Sequence, residues 1–144
     1  MIFDTHAHYD DEAFDEDREA LLASLKENGI GAVTNIGASL ESCRTTLKLA
    51  EAYPWMYGAL GIHPSESGEL TEKDMDWLLE VLGNEKIRAV GEIGLDYDWE
   101  EPEHEVQKKW FVRQLDLARP AGLPVIIHSR DAANAPMDIM KAAQ

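Results

Sequence analysis

Two imidazoles two residues apart, His6 and His8, follow the apolar start Met1-Ile2-Phe3. In an extended strand, residues two apart project from the same face, so this pair can grip one cation. Residues of similar chemistry recur down the chain in Gly61-Ile62-His63-Pro64, Gly91-Glu92-Ile93-Gly94-Leu95-Asp96 and His128-Ser129-Arg130-Asp131. Neutral imidazole and carboxylate suit Zn²⁺ or Mn²⁺, and a carboxylate between two ions can bridge them while imidazoles hold the outer sides. Glu92 is placed for such a bridge. Each residue also has a plainer use: Glu92 can pair with Arg88 or Arg130, His128 can sit buried against backbone, and Arg130 can pair with Asp131 or Glu92. A metal centre is favoured because all four sets fall at the ends of successive apolar runs.

Those runs cover residues 1–5, 32–37, 56–62, 88–95 and 124–128. Between them lie helical patterns. Residues 15–28 carry Leu21, Leu22 and Leu25 before Gly29, and residues 39–53 open on Ser39 and repeat Leu40, Cys43, Leu47 and Ala50 at helical spacing. Thr71-Glu72-Lys73-Asp74 reads as a capping box before Met75, Leu78, Leu79 and Leu82. Residues 102–119, with Val106, Trp110 and Phe111, and residues 136–143 supply two more helices. Pro120 is expected to shorten the last turn of the fourth helix, and Pro136 to occupy the first position of the fifth.

Strand and helix in alternation give an α/β fold with a parallel sheet. A doubly wound sheet usually has a glycine-rich turn after its first strand, whereas here that turn reads His6-Ala7-His8-Tyr9-Asp10-Asp11. The strands recur about every thirty residues, the spacing of a TIM-type barrel with its eight units in about 250 residues. Residues 1–144 therefore read as one domain holding about the first five β/α units of a (β/α)8 barrel.

The chain has 28 acidic against 13 basic residues and a net charge of −15. Such a surface repels nucleic acid, so a polyanionic substrate needs a cation to meet it. The single Cys43 excludes an internal disulfide and fits a reduced, cytoplasmic setting. No apolar run is long enough to span a membrane.

Phe3-Asp4-Thr5-His6-Ala7-His8, Gly61-Ile62-His63-Pro64, Val90-Gly91-Glu92-Ile93-Gly94-Leu95-Asp96-Tyr97 and Pro124-Val125-Ile126-Ile127-His128-Ser129-Arg130-Asp131-Ala132 together resemble the signature of TatD-family metal-dependent deoxyribonucleases, a branch of the amidohydrolase superfamily. The resemblance implies a (β/α)8 barrel that hydrolyses DNA, often 3′ to 5′, with two divalent ions: Zn, Mn or Mg. It carries His6 and His8 over as ligands of one ion, Glu92 as the bridge and His128 as a ligand of the second, so at least one ion is expected here. It makes His63 a substrate contact able to protonate the leaving oxygen, and Arg130 a phosphate contact. The family also draws a histidine from a sixth strand and an aspartate from an eighth, which this sequence does not contain. The resemblance thus implies weak or absent nuclease activity for the chain as given. The alternatives are hydrolysis of an amide or ester, and a non-catalytic metal-binding fragment. Single-stranded DNA or DNA 3′ ends are the expected substrate, and open barrel edges predict a homo-oligomer. Tyr9, Tyr97 and Trp99 follow the metal motifs and either stack on bases or cover the barrel mouth.

Overall fold

All five apolar runs form strands in the computed structural model, which describes residues 1–143. β1 (Ile2–Ala7), β2 (Ile30–Ile36), β3 (Met56–Leu60), β4 (Ile87–Asp96) and β5 (Val125–Arg130) pair in parallel in chain order. Parallel neighbours need a crossover after each strand. The crossovers contain α1 (Arg18–Ser24), α2 (Leu40–Ala52), α3 (Glu72–Val81) and α4 (His104–Ala121), and α5 (Ala135–Ala142) follows β5. The strand order never reverses, as a doubly wound sheet would require, and the result is half of a (β/α)8 barrel.

Alternate side chains divide the sheet into two faces. On the outer face, Leu60, Val90 and Leu95 pack against Cys43 of α2, Met75 and Leu78 of α3, and Trp110 and Phe111 of α4. A smaller cluster sets Leu22 of α1 and Leu25 against Val33 and Met56. On the inner face, Ile36, Ala59 and Ala89 form a thin layer with Ile126. Towards the strand starts this face is bare: Phe3 is 53% exposed and lies 6.4 Å from the Tyr57 ring.

Several boundaries differ from the sequence reading, each for a local reason. α1 is shorter than residues 15–28, because Arg18 is drawn back to the preceding loop. Its guanidinium donates to the carbonyl oxygens of Tyr9 at 2.5 Å and Asp11 at 2.8 Å, and to the Asp15 carboxylate at 2.6 Å. β5 runs on to Arg130 because Ser129 and Arg130 still pair with Leu95 and Asp96 of β4. Pro120 does not shorten α4. It gives up one helical N–H, and the helix runs on to Ala121 and closes at Gly122, whose φ of 65° lets its N–H reach the Ala118 and Arg119 carbonyls. α5 opens at Ala135, so Pro136 stands one place inside the first turn rather than at its start. Thr71 caps α3 as expected: the Asp74 carboxylate accepts from its backbone N–H at 2.8 Å and its hydroxyl at 2.7 Å.

Candidate metal centre

The ligand-type residues gather at the C-terminal ends of the strands, the face where parallel barrels place their chemistry. His6 lies in β1 and His8 just beyond it, their ring centroids 5.1 Å apart. His8 Nδ1 is 2.9 Å from the Ile36 carbonyl oxygen of β2. A carbonyl only accepts, so the neutral ring carries its proton on Nδ1 and keeps the Nε2 lone pair for a cation. The loop that carries His8 is held from below by a buried amide. Asn35 accepts the Tyr9 N–H at 2.6 Å and donates to Asp10 at 2.8 Å and Thr46 at 2.7 Å, while the Ser42 hydroxyl donates to Asp10 at 2.5 Å.

Glu92 divides its two oxygens between two directions. Oε2 lies 3.6 Å from His6 Nε2, and Oε1 lies 3.1 Å from His128 Nδ1. Its backbone N–H donates to the Gly37 carbonyl at 3.0 Å. Two residues on, Gly94 has a φ of 146° and presses against β5, where a Cβ would overlap the His128 carbonyl oxygen. Only glycine lets the strands approach so closely beside the site.

His128 Nε2 lies 2.9 Å from Asp96 Oδ2, and Asp96 is 2% exposed. Both ring nitrogens face carboxylates, which only accept, so a neutral His128 can donate to one of them; the tautomer with its proton on Nε2, towards Asp96, is the one that frees Nδ1 for a cation beside Glu92. This is how outer carboxylates orient metal-binding histidines. The His63 ring lies 4.2 Å from that of His128. His63 Nδ1 accepts the Ser65 N–H at 3.2 Å, with the Ser65 hydroxyl at 2.8 Å. Its proton is thereby assigned to Nε2, which faces the site as a donor. Burial is the largest influence holding its pKa below the ordinary value of 6.5, with His128 and His8 acting the same way against Glu92 and Asp96. The ring therefore stays neutral near pH 7.

Two groups of ligand-type residues gather here, His6 with His8 and Glu92, and His63 with Glu92 and His128, each with one nitrogen or oxygen per residue within 4.8 Å of the others; His63 enters its group by distance alone, since its Nε2 carries the proton. Glu92 belongs to both. Imidazole and carboxylate donors on either side of a shared carboxylate fit a pair of divalent ions. Arg130, the remaining residue singled out, ends β5 and pairs with Asp98 at 2.6 Å, not with Asp131 or Glu92. Glu92 likewise pairs with histidines rather than with Arg88, whose guanidinium lies over the Tyr57 ring. Of the three aromatics, Tyr9 packs beside Phe14 and Tyr97 stacks on His104 at 3.7 Å, while Trp99 stays 51% exposed.

Residues 3–144 match the family model described as TatD related DNase. An uncharacterized metal-dependent hydrolase of Bacillus subtilis, YabD, is 36% identical over 141 residues, 98% of this chain and 55% of that protein. The 3′-5′ ssDNA/RNA exonuclease TatD of Escherichia coli is 28% identical over 131 residues, 91% of this chain and 50% of its own length. Among solved structures, the TatD homolog YjjV of Escherichia coli superposes with a TM-score of 0.89 at 35% identity, covering 99% of this chain and 56% of that one. An uncharacterized amidohydrolase from Saccharomyces cerevisiae shares the fold, with a TM-score of 0.83 at 19% identity over 96% of this chain and 51% of its own. The chain thus spans about half the length of the relatives it matches. With strand-end histidines and a shared glutamate standing where the sequence motifs put them, and with the family model matched from residue 3 onwards, the chain belongs to the TatD family.

Proposed function

We propose that this chain carries most of a two-metal phosphodiesterase centre acting on single-stranded DNA or DNA 3′ ends. The observation that carries this reading is the position of Glu92 between two imidazole groups. In this reading His6 and His8 hold one ion, Glu92 bridges, and His128 holds the second. When bound, such ions supply positive charge against the phosphodiester and activate water. That would let a protein of net charge −15 accept a polyanion. His63 donates a hydrogen bond from Nε2 to the leaving oxygen of the substrate, and the neutral ring, with Nδ1 occupied by the Ser65 N–H, keeps that proton. Arg130 can reach a phosphate oxygen by exchanging one anionic partner, Asp98, for another. The single, buried Cys43 thiol suits a reducing, cytoplasmic compartment, and among the described residues no helix is long and apolar enough to cross a membrane.

Calorimetric titration of the chain with Mn²⁺ or Zn²⁺ tests the centre, and binding of at least one ion is expected. A binding curve left unchanged by joint replacement His6→Ala and His8→Ala would overturn the assignment of the first ion. Release of nucleotides from single-stranded DNA with Mn²⁺ tests the substrate. Slow turnover is expected of this chain, with faster release once three further strand–helix units are supplied. Equal rates in the two would mean that the residues seen here already suffice.

A further inference from the structure

We propose that Gln107 and Gln114, two turns apart on the buried face of α4, are positioning residues that set the metal centre from the helix side of the sheet. Both are 1% exposed. Seven residues is close to two helical turns, so they share one stripe. Gln114 accepts the Ile62 N–H at 2.7 Å and donates to the Ile62 carbonyl at 3.2 Å. Gln107 accepts the Asp96 N–H at 2.9 Å and donates to the Asp96 carbonyl at 2.9 Å and the Pro102 carbonyl at 3.0 Å. A primary amide offers one donor and one acceptor side by side, as a neighbouring strand would. Each glutamine therefore acts as one residue of extra strand.

The sheet needs that residue at these two places. β3 ends at Leu60, so the Ile62 N–H and carbonyl lie beyond its ladder although Ile62 is 1% exposed. Asp96 is the last residue of β4. Buried backbone groups require partners, and a leucine or methionine at either helix position would fill the space without supplying one. Each clamped residue also adjoins the site. Ile62 precedes His63, whose own N–H donates to the Ala38 carbonyl at 2.8 Å. The Asp96 side chain holds His128 Nε2. Gln107 thus acts on His128 through Asp96, and Gln114 acts on His63 through Ile62.

The two routes give separate signatures. In the full chain, ¹⁵N signals of the histidine rings report which nitrogen carries the proton without any metal, and Mn²⁺ affinity reports the centre. For Gln107→Met the His128 ring signals are expected to move, with a roughly ten- to hundredfold loss of Mn²⁺ affinity and unmoved His6 and His8 signals. For Gln114→Met the His63 signals move and Mn²⁺ affinity stays within about threefold, well short of the loss typical for an outer partner of a ligand. Lower melting temperatures with every histidine signal and the affinity unchanged would overturn the proposal and leave the amides a purely structural task. Should the methionine variants not fold, Gln107→Glu and Gln114→Glu keep the acceptor and the shape. Failure of those to fold as well would also assign the glutamines to the core and overturn it. The affinity readout rests on the two-metal reading. If the unaltered chain bound no Mn²⁺ that reading would fail, while the ring signals would still judge the clamp.

Discussion

β4 and β1 both bring metal-type residues to the same end of the sheet, yet β4 is buried along nearly its whole length and β1 almost nowhere. β4 has a strand on each side and helices over its outer face, whereas β1, among the described residues, pairs with β2 alone. The difference passes into the site. The side chains of Glu92 and His128 are 15% and 23% exposed, and that of His6 is 43% exposed. The side of the centre on β3 and β4 is therefore fixed by packing and by buried hydrogen bonds, and His128, on the other edge strand β5, by its contacts to Glu92 and Asp96 of β4. The side on β1 depends on the His8 contact to Ile36 and on the Asn35 network below the loop.

Two phenylalanines offer the sharpest way to break this comparison. Phe111 is 1% exposed under α4, and Phe3 is 53% exposed on β1. Phe111→Ala should destabilise the chain by about 3–5 kcal/mol, since it removes a large apolar group and leaves a cavity. Phe3→Ala should cost less than about 1 kcal/mol in the single chain, at dilutions below those that favour assembly. Urea unfolding measures both, and equal losses would mean that the β1 face is covered in solution. Self-association is the obvious way to cover it, given an edge strand with Ile2 and Phe3 exposed. Light scattering at micromolar concentration should show an assembly that Phe3→Lys weakens.

The second test stays within the site. Glu92→Gln removes the charge shared by both ligand groups, so it should lower affinity for both ions by more than the roughly 10–100-fold typical of an outer partner. His6→Ala touches one group only and should leave one ion bound. Calorimetric stoichiometry with Zn²⁺ separates the two outcomes. If His6→Ala removed both ions, the two sides would be a single cooperative unit and the contrast between β1 and β4 would not extend to metal binding.

How much of this was readable beforehand follows the same division. Strand-end histidines and Glu92 could be read from the sequence because a ligand at the end of an apolar run is a local pattern. The parallel order followed from the period of strands and helices. Asp96, Gln107, Gln114 and Asn35 received no role, although each is a buried polar residue within an apolar or helical pattern. Their only signal was a polar type at a core position, and the partners that tie them to the site lie 11 to 52 residues away in the chain. The Arg130 partner was missed for the opposite reason. Several carboxylates were within reach, and only the turn after β4 selects Asp98.

Cys43 gives the smallest effect and probes the well-packed region directly. It is fully buried on α2 with Sγ 3.2 Å from the Gly61 carbonyl oxygen, two residues before His63. Burial pushes its pKa from the ordinary 9.0 up to about 12; Asp10 adds to the rise, while the Gly61 contact and Arg44 oppose it. Below pH 9 the thiol is protonated in both folded and unfolded chains and contributes no pH dependence. Above pH 9 the unfolded chain releases a proton that the folded chain retains until about pH 12, so stability must fall as pH rises through that interval. Urea unfolding at pH 8 and pH 10 should show a larger loss for the unaltered chain than for Cys43→Ala, with the two curves parallel below pH 9. A disulfide reagent at pH 8 should leave the folded chain unmodified and label it fully in urea. Labelling of the folded chain at the unfolded rate would mean that α2 opens readily from β3, and that the inner strands are no better fixed than the edge.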